Sequence, residues 1–250
     1  MPTSKTVTIV AVSDFHGDLS GIQQAVCDNE ADVLVIAGDI QTADVFTRPD
    51  QWFNDKFYKM IGKLPCEVVA IPGNHDFYLA SHLDRGSPSN FHLLIDQGIV
   101  IEGLKIYGTP WVPWINGSWV FECDDEDLEE RFKQIPKGLD ILITHSPPLI
   151  PNKNIDVSLQ HQPTFQRHFG SKSLYENILV KQPRIMFCGH IHSGDHTMCS
   201  IKNPDSPQET LCFNVSRVDE RYKIGYKVRV VKVCGGEITA NKENVVHGNI

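Results

Sequence analysis

The sequence contains no pair of cysteines at C-x-x-C spacing. Its seven cysteines, Cys27, Cys66, Cys123, Cys188, Cys199, Cys212 and Cys234, are scattered singly. That pattern excludes a zinc ribbon or a thioredoxin-type redox motif, and suits small buried thiols in a reducing compartment. Basic charge is also scarce. Lys and Arg number 23 against 31 Asp and Glu, a formal net charge of -8, so no broad cationic surface is available to grip duplex nucleic acid. A local basic groove is compatible with that total. No apolar run is long enough to cross a bilayer, and the opening MPTSKTVTIVAVSD lacks the charged start, apolar core and cleavage site of a signal peptide. These absences predict a soluble, cytoplasmic protein with no membrane partner and with nucleic acid disfavoured. Repeats, low-complexity tracts and interdomain linkers are missing too. A chain of 250 residues that is 41% hydrophobic then reads as one domain over 1–250, with 235–250 as a frayed tail. Nothing in the sequence selects an oligomeric state.

What is present is a recurring order of apolar strand, polar tip and helix. Val7 to Val12 is a β-branched run followed by SDFHGD; it predicts a strand buried on both faces. Ser20 and Gln23 have capping-box spacing ahead of a helix with Ile22, Ala25 and Val26 on one face. Val33 to Ala37 ends in Gly38-Asp39, and Glu67 to Ile71 ends in PGNHD. Residues 91–109 read as short strands broken by glycines, and PWVPWINGSW as an aromatic loop. Asp124 to Ile135 predicts a helix with acidic residues at its start. Leu139 to Ile143 predicts a strand ending in THSPP, 148–170 a long surface loop, and Ser173 with Glu176 another capping box. Arg184 to Cys188 predicts a strand ending in GHIH, and further strands are expected near 196–201, 210–215 and 226–233. The alternation points to an α/β layered domain.

The polar tips carry the chemistry. Asp14 and His16 stand two apart after the first strand; Asp39 follows the second, Asn74 and His75 the third, His145 another, and His190 with His192 a fifth. Ligands of open α/β sheets gather beyond the carboxyl ends of the strands, so these residues are expected on one rim. Imidazole nitrogen mixed with carboxylate and amide oxygen suits manganese, with iron or zinc as alternatives, whereas calcium favours an all-oxygen shell. Two ions about 3.5–4 Å apart need a shared ligand, and Asp39, standing alone between the other pairs, is the expected bridge. One ion would take Asp14, His16, Asp39 and His192; the other Asp39, Asn74, His145 and His190. Taken singly, each of these residues reads as a cap or turn former. Their ordered combination argues for the metal site.

Asp14-Phe15-His16, Gly38-Asp39, Gly73-Asn74-His75-Asp76, His145 in THSPP and Gly189-His190-Ile191-His192 together resemble the ordered signature of the calcineurin-like metallophosphoesterases. The resemblance implies a four-layer α-β-β-α sandwich of two mixed β-sheets flanked by helices, and agrees with the ligand partition above. YGTPWVPWINGSW, DILITHSPP, GHIH and FNVS at 213–216 resemble the small metallophosphoesterase-domain branch related to class III cyclic-nucleotide phosphodiesterases. That implies a dinuclear hydrolase acting on a small phosphate ester: a phosphodiester, with cyclic nucleotides as one class, or a phosphomonoester.

In such a reaction, water acidified between two cations attacks phosphorus in line. His75, next to Asn74, is the expected acid for the leaving oxygen. Many relatives orient this histidine with an Asp three residues beyond the bridging Asp; here that position is Thr42, with Asp44 and Asp76 as possible substitutes. Trp111, Trp114 and Trp119 read either as stacking platforms for a base or as cover for the core. His196, four residues after His192, reads as a pocket-lining residue only as a minority alternative, and Phe15 and Asn214 as edges of the site. His82, His92, His161, His168 and His247 read as surface or packing residues. The rival functions are a nuclease acting on nucleic-acid ends, a protein phosphatase, and a metal-containing scaffold or binding module without turnover.

Overall fold

Successive residues of strand Thr6–Val12 divide between two apolar layers. Ile9 and Ala11 enter one buried cluster, Val10 and Val12 another, because side chains alternate across a strand. Leu34 and Ile36 likewise part from Val35 and Ala37, and Met186 and Cys188 from Phe187. Both faces of these strands are therefore buried, which is why their sequences read as unbroken apolar runs.

The computed structural model describes residues 5–41, 48–82, 86–151, 159–161, 166–194 and 196–241. One six-stranded sheet runs, edge to edge, Glu237–Ala240, Arg229–Cys234, Thr6–Val12, Val33–Ala37, Glu67–Ile71 and Phe91–Leu93. Its first two pairings are antiparallel and the rest parallel. The other six-stranded sheet runs Cys199–Lys202, Glu209–Asn214, Ile185–Cys188, Ile141–Thr144, Leu104–Thr109 and Gln97–Ile101. Only its outermost pairings are antiparallel. The central core joins the sheets, with Val35 and Val69 from one and Ile106, Ile143 and Phe187 from the other. Outer cores bury helix Ile22–Asp28 and the helical segment 49–61 against the first sheet, and helices Asp125–Lys133 and Lys172–Lys181 against the second. The four-layer sandwich of mixed sheets is the expected fold.

Local details depart from expectation. Helix Ile22–Asp28 is entered through Gly21 in the left-handed region (φ 74) and has no side-chain cap, so Ser20 and Gln23 make no capping box. Helix Lys172–Lys181 is capped two residues earlier than expected: the Ser171 hydroxyl accepts from Leu174 N at 3.2 Å. Asp124 caps its helix as the acidic start implied, accepting from Asp127 N at 2.9 Å. The segment 49–61 carries a π-helical stretch, Phe53–Tyr58; the shifted period hides its buried Phe53, Phe57 and Ile61 from a 3.6-residue pattern. Glu237–Ala240 is a paired strand rather than frayed tail, while 242–250 lie outside the described residues. In the loop 148–170, Leu159–His161 and Gln166–His168 pair antiparallel. None of the seven cysteines is in a disulfide, and Cys27, expected to be buried, is exposed at the end of its helix. Among the described residues, no helix is long and apolar enough to cross a membrane.

Candidate metal centre

Parallel strands in both sheets end at one rim, and there the chain turns sharply. Asp14 (φ 48), His16 (φ 41), Asp39 (φ 51) and His190 (φ 68) all adopt the left-handed region. Asp and His enter that region more readily than most residues, at a cost of about 1–3 kcal/mol each. The turns are clamped to one another by their backbones. Asp14 N donates to Gly38 O at 3.0 Å, His16 N to Asp39 O at 3.1 Å and Gly189 N to His145 O at 3.0 Å. Two glycines make the approach possible. A Cβ on Gly73 would collide with the Asp39 carboxylate and backbone, and one on Gly189 with the Asp14 carboxylate and Ser13.

The expected site residues come together in two groups that share Asp39. Asp14, His16, Asp39 and His192 are all buried, with their ligand atoms within 4.8 Å of one another. Nε2 of His16 faces Nε2 of His192 at 3.2 Å, and Nε2 of His192 lies 3.4 Å from Asp14 Oδ1. Asp39 Oδ2 lies 3.8 Å from Nε2 of His16 and 3.3 Å from Nε2 of His145. The side-chain oxygen of Asn74 faces both Nε2 of His145, at 3.0 Å, and Nδ1 of His190, at 2.9 Å.

Electrostatics in this nest keep Asp14 and Asp39 ionised and favour a proton on His145 and His192, but not on His16 or His190. Burial alone would raise the Asp14 carboxyl, but the His192 hydrogen bond and the neighbouring imidazoles bring it down to about 2. Asp39 is held well below the usual carboxylate range by His145 against the same burial penalty. Burial opposes the charged form of His145, yet the Asp39 charge raises it to about 9. His190 is pushed down to about 3, first by burial and then by His145. His145 Nδ1 is spent on the carbonyl oxygen of Ala37 at 2.8 Å, so Nε2 meets the oxygens of Asn74 and Asp39. Lone pairs thus converge on a space where a proton is the only positive charge the chain itself supplies. A buried set of imidazole, carboxylate and amide donors of this kind fits borderline transition-metal cations.

His75 sits beside this cluster. Its Nε2 is 4.0 Å from Asp39 Oδ2, and its backbone N donates to Asp39 Oδ1 at 2.9 Å. Burial lowers its pKa against the opposing Asp39 charge. Its Nδ1 has no hydrogen-bond partner among the described residues. Thr42 and Asp44 lie outside them, and Asp76 does not take the orienting role. Its carboxylate instead accepts from the backbone N of Ile40 at 3.2 Å, Gln41 at 2.8 Å and Gly73 at 2.7 Å. Burial and the Asp39 charge push it up to about 7 against those donors. Asp76 therefore ties the Asp39 turn to the Asn74 turn. Trp119 is the neighbour that holds His75, with ring centroids 4.2 Å apart.

A cleft of about 260 Å³ opens over these residues, walled by Trp119, Ile115, Phe169 and Tyr222. Tyr222 (φ 58) lies across the His16 ring at 4.8 Å and the His192 ring at 5.2 Å. Tyr222 and Glu220 carry no sequence signal, since a charged turn with one aromatic makes no motif. Trp111 and Trp114 belong elsewhere: Trp111 Nε1 donates to Asp96 at 2.7 Å beneath the Arg131 guanidinium, and Trp114 is exposed. Asn214 is fully buried and braces the GHIH turn by donating to Ile191 O at 2.8 Å. His196 stacks on Tyr226 at 3.5 Å and contacts His192 O, outside the lining of the cleft. Phe15 packs in the core of the first sheet. His82 stacks on Tyr78 and His92 pairs with Glu67.

Comparison with known proteins places this geometry in context. The chain is 32% identical over 213 residues to metallophosphoesterase domain-containing protein 1 of Homo sapiens, covering 74% of this chain and 60% of the relative; the Mus musculus protein gives the same figures. The chain thus spans about 60% of the length of the curated relatives it matches. One solved structure superposes with a TM-score of 0.68 at 16% identity, covering 96% of this chain and 100% of the other. A dimetal phosphatase from Danio rerio superposes at 0.53 and 13% identity, covering 95% and 99%; these two likenesses show the fold. The family model described as calcineurin-like phosphoesterase matches residues 7–194, a span that holds every residue of the cluster, and the chain belongs to that family.

Proposed function

We propose that the chain is a dinuclear metal-dependent phosphoesterase that hydrolyses small phosphodiesters, with cyclic nucleotides as the leading candidate substrates. One observation carries the reading: buried and half-buried donors form two groups, Asp14/His16/His192 and Asn74/His145/His190, that meet at a shared Asp39. A shared carboxylate is what two neighbouring cations need. The donor chemistry favours manganese, with iron or zinc as alternatives. When bound, such a pair supplies acidified water and neutralises charge developing on phosphorus.

The chain's own groups do the rest. Asp39 and Asp14 supply the anionic charge that holds the cations, and Asp76 fixes the spacing of the Asp39 and Asn74 turns through three backbone N–H groups. His75, carried beside Asn74 and packed on Trp119, holds a proton at Nε2 for the departing oxygen. Trp119, Ile115 and Tyr222 give the cleft apolar walls, which suits an ester with a planar apolar part such as a base.

The test is a substrate panel on manganese-loaded protein: bis-p-nitrophenyl phosphate, p-nitrophenyl phosphate, and 2′,3′- and 3′,5′-cyclic nucleotides. The reading predicts turnover of diesters above monoesters, abolished by Asp39→Ala. Preference for the monoester would overturn the diester assignment. Metal binding without turnover on any ester would instead favour a scaffold or binding module.

A further inference from the structure

A pocket of about 630 Å³ opens on the outer side of the first sheet, between helix Ile22–Asp28 and strands Arg229–Cys234 and Glu237–Ala240. It shares no lining residue with the metal cleft. Its wall contains three cationic side chains, Arg217, Lys227 and Lys232, against one carboxylate, Asp28, which already accepts from the Gln24 side chain. Val228 and Val230 give it an apolar floor.

Arg217 is the anomaly. It is only 6% exposed, yet among the described residues its guanidinium makes a single long hydrogen bond, 3.5 Å from Nη2 to the carbonyl oxygen of Ser20. Its Nε has no partner, and no carboxylate among the described residues forms an ion pair with it. Asp18, whose charge acts on it, has a carboxylate oxygen engaged by Ser20 N at 2.9 Å. A guanidinium cannot shed its proton, so burying one without acceptors is uphill unless an anion completes it. Gly21 lines the pocket beside this guanidinium, and a Cβ there would lie 3.9 Å from Nη2. Lys232, in the same wall, also has no ion-pair partner among the described residues.

We propose that this pocket is an anion site, separate from the metal centre, in which Arg217, Lys227 and Lys232 hold the phosphate of a small organic phosphate whose apolar part rests on Val228 and Val230. Arginine offers the planar fork that matches a phosphate, and the two lysines add charge around it. The occupant is larger than a free inorganic anion, since the pocket offers about 630 Å³ and an apolar floor that such an anion would leave uncovered.

The test is calorimetric titration of the full chain, as wild type and as Asp39→Ala, with sulfate and with phenylphosphonate, whose P–C bond resists hydrolysis. The Asp39→Ala background removes binding at the metal cleft. Saturable binding of one phenylphosphonate per chain is expected in that background, tighter than sulfate. Removing the lysine charges in Lys227→Gln/Lys232→Gln should weaken it about tenfold or more, and Arg217→Met should abolish it. No saturable binding in Asp39→Ala, or an unchanged affinity in the lysine double variant, overturns the proposal. Equal affinity for sulfate and phenylphosphonate overturns its organic half.

Discussion

Nε2 of His145 lies 3.3 Å from Oδ2 of Asp39, and the same ring is anchored through Nδ1 to the carbonyl oxygen of Ala37, two residues before that aspartate. One strand end of the first sheet therefore both orients an imidazole from the second sheet and supplies the carboxylate it faces. The centre is assembled across the sandwich, so fold stability and cation binding are coupled.

That coupling has a pH signature. His145 is raised from 6.5 to about 9 by Asp39 despite its burial. A group raised in the folded state contributes stability that is complete below its unfolded pKa and is lost as pH rises through the folded value. The Asp76 carboxyl, raised from 3.8 to about 7, acts with the same sign but over that lower range, so the window above it belongs to His145. Chelator-treated protein should therefore lose thermal stability between about pH 6.5 and 9, whereas metal-loaded protein keeps it, because the cation replaces the proton. Melting temperature against pH, with and without chelator and in His145→Gln, checks this; parallel curves for the two forms would contradict it.

Gly189→Ala places a methyl group against the Asp14 carboxylate and Ser13. Overpacking a rigid site costs about 1–3 kcal/mol, and here the displaced atom is a candidate ligand. Weaker manganese binding than wild type is expected, with a modest fall in melting temperature. Gly236→Ala, where nothing lies within 4 Å of the added atom and the backbone is not in the left-handed region, is the control for adding a methyl at a glycine, and should leave manganese binding unchanged.

If His75 donates a proton to the leaving oxygen, its removal should matter most where that oxygen is most basic. His75→Ala is expected to slow alkyl-leaving diesters by about 10²–10⁴-fold, and bis-p-nitrophenyl phosphate by about tenfold or less. Trp119→Ala should reproduce part of this pattern in kcat, with Trp119→Phe restoring it, because the ring that packs on His75 would be replaced. A uniform loss across leaving groups would remove His75 from that role.

The strands that carry the candidate ligands were legible because they are buried on both faces, and the ligands because each ends such a strand in a short polar tip. The sandwich itself followed from resemblance; nothing in the apolar pattern of Val33–Ala37 says which of two sheets it joins. The segment 49–61 was hidden by its π-helical stretch. Tyr222 and Arg217 were hidden for a different reason. Each owes its position to the turn after Asn214, where Arg217 N donates to Ser13 O at 2.9 Å, and such long-range pairing leaves no local periodicity. Asp76 was visible as part of Gly73-Asn74-His75-Asp76, but its bracing of Ile40 and Gln41 was not, since those residues lie in another turn.

The central claim is that two cations share Asp39, and manganese titration followed by electron paramagnetic resonance tests it most directly. The account predicts two manganese ions per wild-type chain with the spectrum of an exchange-coupled pair, and loss of that coupling in Asp39→Ala. A single ion per chain, or two ions without coupling in the wild type, would contradict it.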